Sequence, residues 1–190
     1  LDATRRYDRP LTRQRLFGWQ AALFPTGHSG LRRIRAGALR GRAPMRVVSG
    51  PLGRERVHFE APPRTGLEAE LGRFLAWFRT PPPDMVGLVR AGLVHLWFLT
   101  LHPFEDGNGR LARALTDMAM AQDDSQPMRV FSLSAQILRE REAYYDVLER
   151  LEAREKAGAP RDVAVVRLEQ MDPWPEAEPG AAIRRYPKAG

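Results

Sequence analysis

The sequence predicts a mainly α-helical bundle carrying one β-hairpin. Apolar residues recur at helical spacing in five separate segments, and β-capable runs face each other across a turn at one place. Apolar residues make up 43% and charged residues 28% of the 190 residues, near globular averages, so a core can be buried and wholesale disorder is excluded. That length suits one compact domain with a tail.

The elements follow in order. Pro10-Leu11-Thr12 precedes Leu16, Trp19 and Leu23 on one helical face, so a first helix is expected over residues 12–23 with Thr12 as its N-cap. Pro25-Thr26-Gly27-His28-Ser29-Gly30 then reads as a loop. The hairpin comes next, from Arg46–Ser49 and Arg56–Phe59 around Gly50-Pro51-Leu52-Gly53. Leu67, Leu71, Phe74, Leu75 and Phe78 define a helix over Thr65–Arg79, stopped by Pro81-Pro82-Pro83. Asp84 can cap the next helix, whose Val86, Val89, Leu93, Leu96, Trp97 and Leu101 suit the centre of a bundle and which should end near His102-Pro103. Further helices are expected over Leu111–Gln122 and Ser134–Arg154. Residues 157–190 hold five prolines and mixed charge, the composition of a flexible Pro/Arg-rich tail. Residues 1–11 read as an N-terminal extension, 12–156 as the folded domain.

Composition also excludes functions. The longest strongly apolar stretch, Gly92–Leu101, has ten residues where a membrane span needs about 20. Leu1–Arg15 carries five arginines and no apolar core, unlike a signal peptide, so the expected compartment is the cytoplasm. The chain starts at Leu1 without a methionine and is expected to be part of a longer protein. The net charge is +7, and 28 of the 30 cations are arginine. They are scattered rather than gathered in a stripe, which argues against nucleic acid as a partner. Zero cysteines exclude disulfides and thiolate sites.

Chemistry concentrates in Leu101–Arg113, LHPFEDGNGRLAR. A helix delivers His102, a proline ends that helix, and Gly107-Asn108-Gly109 leads into the next one. Glycines let successive backbone amides converge on one anion, and a helix N-terminus adds partial positive charge. Arg110 and Arg113 can neutralise a polyphosphate from the same side. Asp106 offers a hard oxygen ligand, and magnesium commonly takes one or two carboxylates plus substrate phosphates. His102 remains as proton acceptor. A zinc site of His95, His102 and Asp106 is an alternative, although it leaves the arginines and Gly-Asn-Gly unexplained. No Walker motif occurs.

HPFEDGNGRLAR resembles the signature HPFx[DE]GNGRxxR of Fic domains at every specified position from His102 to Arg113. The resemblance covers about residues 12–154 and implies a Fic-type helical bundle with a β-hairpin flap. It implies a protein adenylyltransferase that moves AMP from Mg-ATP to a Ser, Thr or Tyr hydroxyl of a target protein. In those roles His102 is the general base, Asp106 holds Mg²⁺, and Gly107, Asn108 and Gly109 form the anion hole. Arg110 would contact phosphates and Arg113 would grip the γ-phosphate. Val47, Val48, Ser49 and Gly50 of the flap would pair with an extended target segment, and Tyr144 and Tyr145 match a pair that lines the nucleotide pocket. Relatives often carry an inhibitory helix with [ST]xxxE[GN]; no such motif occurs here, so that restraint would come in cis from ahead of Leu1 or in trans. The tail shows no obvious counterpart of the closing helix common in the family. Phosphoryl transfer, removal of AMP, and an idle basic binding module are the rival readings, and Gly109 disfavours the first because kinase-type loops tend to have lysine there.

Overall fold

The computed structural model describes residues 2–49, 51, 54–83, 85–127, 137 and 139–156. Among these residues lie six helices and two two-stranded antiparallel sheets, a mainly α fold. In chain order they are α1 (Asp2–Arg5), α2 (Arg13–Leu23), β1 (His28–Ser29), β2 (Arg32–Arg33), β3 (Arg46–Ser49), β4 (Arg56–Glu60), α3 (Leu67–Arg79), α4 (Gly87–Leu101), α5 (Asn108–Asp123) and α6 (Arg141–Lys156).

Thr12 caps α2 as expected, its hydroxyl accepting from the Arg15 amide at 3.1 Å. Helix α3 starts from Gly66 and closes at Thr80, before the three prolines. In α4 the N-cap position is Val86; the expected cap Asp84 lies outside the described residues, as do Ser134 and residues 157–190. The paired strands β3 and β4 form the expected hairpin.

Two expectations are corrected. The loop expected over residues 25–30 contains the first strand of a second pair, with His28 opposite Arg33 and Ser29 opposite Arg32. Gly27 and Gly30 take φ of 71° and 57°, which lets the chain reverse there, and strands of two residues leave no alternation to read. Helix α5 starts at Asn108, three residues ahead of the expected Leu111. Gly107, at φ 87°, makes the reversal that allows Asn108 and Gly109 to join the first helical turn.

Helix α4 is the centre. It buries Ala91, Leu93, Val94, Trp97, Phe98 and Leu101 on several sides, as a helix packed all round must. Helix α5 packs along it through Leu111, Leu115 and Met118, and α3 adds Phe74, whose ring meets Trp97 and Phe98 at 5.5 and 5.7 Å. Residues 2–11 are fixed to this bundle. Arg15 donates to Asp2 Oδ2 at 2.9 Å and to the Arg9 and Arg6 carbonyls at 2.7 and 2.9 Å, while the Tyr7 hydroxyl donates to the Ser125 carbonyl at 2.9 Å. A second apolar cluster of Phe59, Ala61 and Leu99, with Met45, Leu96, Tyr144 and Tyr145 against it, seats the hairpin between α4 and α6. Burying the Phe59 ring alone contributes roughly 1.5–3 kcal/mol. The hairpin therefore rests on the last turns of the helix that presents His102.

Candidate active site

The site is built where α4 stops. His102 occupies the C-cap of α4 with φ 47° and ψ 56°, a left-handed conformation rare outside glycine. Holding it there costs about 1–3 kcal/mol unless the surroundings over-determine it. They do so through Arg40, which is 1% exposed. Its Nε donates to the His102 carbonyl at 2.8 Å, its side chain to the Pro62 carbonyl at 2.5 Å, and its backbone amide to the Pro103 carbonyl at 2.9 Å.

The rest of the loop is pinned in the same manner. Asn108 brackets Phe104, accepting from its amide at 3.0 Å and donating to its carbonyl at 2.8 Å. Glu105 accepts from the backbone amides of Arg35 and Gly41 at 3.1 and 3.4 Å. The Asp106 carbonyl accepts from buried Gln20 at 3.3 Å, and Gln20 in turn accepts from the Gly37 amide. Gly107 turns the chain into α5, and a Cβ on it would lie 3.0 Å from the Phe24 ring and 3.1 Å from Leu23. Close packing and positive φ both require glycine there.

The expected residues come together at the start of α5. No side chain caps that helix. The amides of Asn108, Gly109 and Arg110 are those that a first turn leaves without an intrahelical partner, and they form the positive end of the helix. Arg110 lies over the Phe24 ring at 4.6 Å. A Cβ at Gly109 would stand 3.7 Å from the Arg113 guanidinium, so Arg113 folds back toward that same turn. Asp106 is adjacent, its Oδ1 accepting from the Gly107 amide at 2.5 Å and its Oδ2 from the Ser29 hydroxyl. Each carboxylate oxygen retains lone-pair capacity. One carboxylate beside an anion cradle fits a magnesium ion that draws its other ligands from phosphates and water.

Electrostatics distinguish the two nearby histidines from their ordinary state. Burial pulls His102 down to about 4, aided by the Arg40 charge and opposed by the Leu99 carbonyl and Asp106. Its Nδ1 is buried and makes no hydrogen bond of ordinary geometry. His95 is likewise pulled to about 4 by burial and the Arg113 charge. The Thr116 hydroxyl donates to the Ala112 carbonyl at 2.9 Å, so it accepts from His95 Nδ1 at 3.3 Å. His95 Nε2 is then free to accept from the Tyr144 hydroxyl at 3.3 Å. Both His95 nitrogens are thus engaged, and the described residues contain no cluster of three metal-ligating side chains, so the zinc alternative falls away.

Tyr144 is pushed up to about 12, chiefly by burial, and sits between His95 and the field of Arg113. Tyr145 instead stacks on His58 of the hairpin, centroids 4.0 Å apart. Val47, Val48 and Ser49 lie on β3; Gly50 lies outside the described residues. Sequence reasoning missed Arg40, Gln20 and Ser29, which reach the loop from distant positions and carry no motif.

Fold and loop together define a helical domain that sets a strained, neutral histidine and a carboxylate ahead of a helix N-terminus that no side chain caps. The profile of the Fic/DOC family matches residues 10–120, and the chain belongs to that family. Among solved structures it is similar to a Fic domain containing signaling protein from Bacteroides thetaiotaomicron, with TM-score 0.61 and 20% identity over 89% of this chain and 62% of that one. A Fic family protein from Desulfovibrio desulfuricans gives TM-score 0.58 and 22% identity over 90% of this chain and 48% of that one. The chain thus spans less than two thirds of either protein. No curated protein matches it.

Proposed function

We propose that the chain is a protein adenylyltransferase that moves AMP from Mg-ATP to a hydroxyl of a target protein. The observation that carries this reading is the uninterrupted HPFEDGNGRLAR motif, which has His102 at the C-cap of α4 and Asp106 two residues ahead of the first residue of α5. His102 accepts the proton of the incoming hydroxyl, for which its neutral ring is the competent form. The amides at the start of α5 and the Arg110 guanidinium bind phosphate oxygens, and Arg113 takes the γ-phosphate. Asp106 would hold the magnesium ion, which neutralises phosphate charge when bound. The target lies extended along β3, adding a strand to the hairpin.

Transfer of label from α-labelled ATP to protein in a cell extract tests the reading. His102→Ala should lower transfer by about 10²–10⁴-fold with ATP binding retained, because a general base supplies about that factor and touches no phosphate. Label that arrives only from γ-labelled ATP would replace adenylyl transfer by phosphoryl transfer. An equal loss of ATP affinity in the variant would remove His102 from the base role.

A further inference from the structure

The hairpin holds a second constellation of reactive groups. Val47 pairs with Phe59 and Val48 with Val57, which leaves His58 as an extra residue in β4. Such a bulge breaks the alternation of faces, and His58 and Phe59 are both buried, at 3% and 1% exposure. The His58 ring lies flat on Tyr145, the planes 7° apart. Its Nδ1 stands 2.7 Å from Glu149 Oε1, and its Nε2 stands 2.6 Å from the Ser49 hydroxyl.

These contacts fix the proton positions. The Arg56 guanidinium donates to Glu149 at 2.8 and 2.9 Å, and with His58 it holds that carboxyl below the usual carboxylate range. An ionised carboxylate only accepts, so His58 Nδ1 donates to it. In the neutral imidazole the lone pair of Nε2 then faces the Ser49 hydroxyl, which donates. Hydroxyl, imidazole and carboxylate in this order form an activated nucleophile with its base and the group that orients the base. Ser49 is half-buried at the end of β3, where a small electrophile can reach it.

We propose that Ser49, with His58 as base and Glu149 orienting the imidazole, is a nucleophile toward activated phosphoryl and phosphonyl esters, making the hairpin a covalent modification site distinct from the His102 loop. The Ser49 Oγ to phosphorus bond forms as the bond to the leaving group breaks. The leaving group departs with the electron pair, and the hydroxyl proton passes to His58 Nε2. This reaction does not depend on the adenylyl-transfer reading.

A fluorophosphonate probe, incubated with the whole chain in the absence of nucleotide and mapped by peptide mass spectrometry, tests the site. An adduct is expected on Ser49, absent in Ser49→Ala and formed about 10²-fold or more slowly in His58→Gln. Because His58→Gln also removes the ring stacked on Tyr145, Glu149→Gln supplies the second variant: it leaves that ring in place and should still slow the adduct several-fold. Labelling of Ser49 no faster than of Ser29 or Ser125 would overturn the proposal. So would an unchanged rate in Glu149→Gln, which would reduce the hydrogen-bonded chain to a tie between hairpin and helix α6.

Discussion

Lowering the pH from 7 to 5 should destabilise this protein well before its carboxylates titrate. His95 and His102 are both pulled from 6.5 to about 4 by burial. In the unfolded chain each takes up its proton near pH 6.5. Between those values the unfolded chain binds more protons than the folded one, so stability falls as pH falls. The stabilisation is complete above pH 6.5, declines toward pH 4 and is flat below. Integrating the proton uptake from pH 7 to 5 gives about 2 kcal/mol for each histidine and about 4 kcal/mol for the pair. Asp2, Glu68 and Glu149, whose carboxyls are held low by arginine and other hydrogen-bond partners, add their losses only at more acid pH. Urea unfolding at pH 7, 6 and 5 measures the effect. His102→Asn suits the test because asparagine tolerates the left-handed backbone, and His95→Gln because glutamine retains a donor and an acceptor. Each variant should lose about half of the pH dependence, whatever its absolute stability. Equal stability at pH 7 and 5, or an undiminished slope in both variants, would refute the reasoning that these rings are buried and neutral.

Two further outcomes follow from the loop. Asn108→Asp keeps the acceptor for the Phe104 amide but loses the donor to its carbonyl, so stability should fall by about 1–3 kcal/mol; an unchanged thermal midpoint would remove the bracket. Under the proposed function, Arg113→Ala should weaken binding of ATP and leave AMP affinity nearly unchanged, as titration calorimetry with both nucleotides would show; equal loss for the two would remove its γ-phosphate role.

Much of the fold was legible because its causes are local. Thr12 signals a helix start through a bond that its own side chain makes, and the spacing in Leu67–Arg79 reports a face that is in fact buried. The start of α5 was misplaced because glycines usually end regular structure, whereas here Gly107 initiates it and the Asn108 side chain secures the turn. The site divides the same way. His102, Asp106, Gly107 and Arg113 are visible because they are neighbours in sequence. Arg40 was hidden among 28 arginines, and nothing in its surroundings announces a partner 62 residues away.

That partner explains how a costly arrangement persists. His102 combines a left-handed backbone, which disfavours the fold by about 1–3 kcal/mol, with a buried ring nitrogen that makes no hydrogen bond of ordinary geometry. Packing alone would be better served by glycine. The carbonyls of His102 and Pro103 are both held by Arg40, the first by its guanidinium and the second by its backbone amide, and the charge-assisted bond to His102 in a buried setting works against that strain. Phe104 is held by Asn108, Glu105 by two backbone amides and the Asp106 carbonyl by Gln20. Nearly every fixed bond of the loop therefore uses backbone atoms or Glu105, which under the proposed function leaves the His102 ring and the first amides of α5 to the nucleotide and the target. Strain gathered at one histidine, and countered by Arg40 from outside the motif, is the arrangement that the proposed function calls for and that packing alone does not.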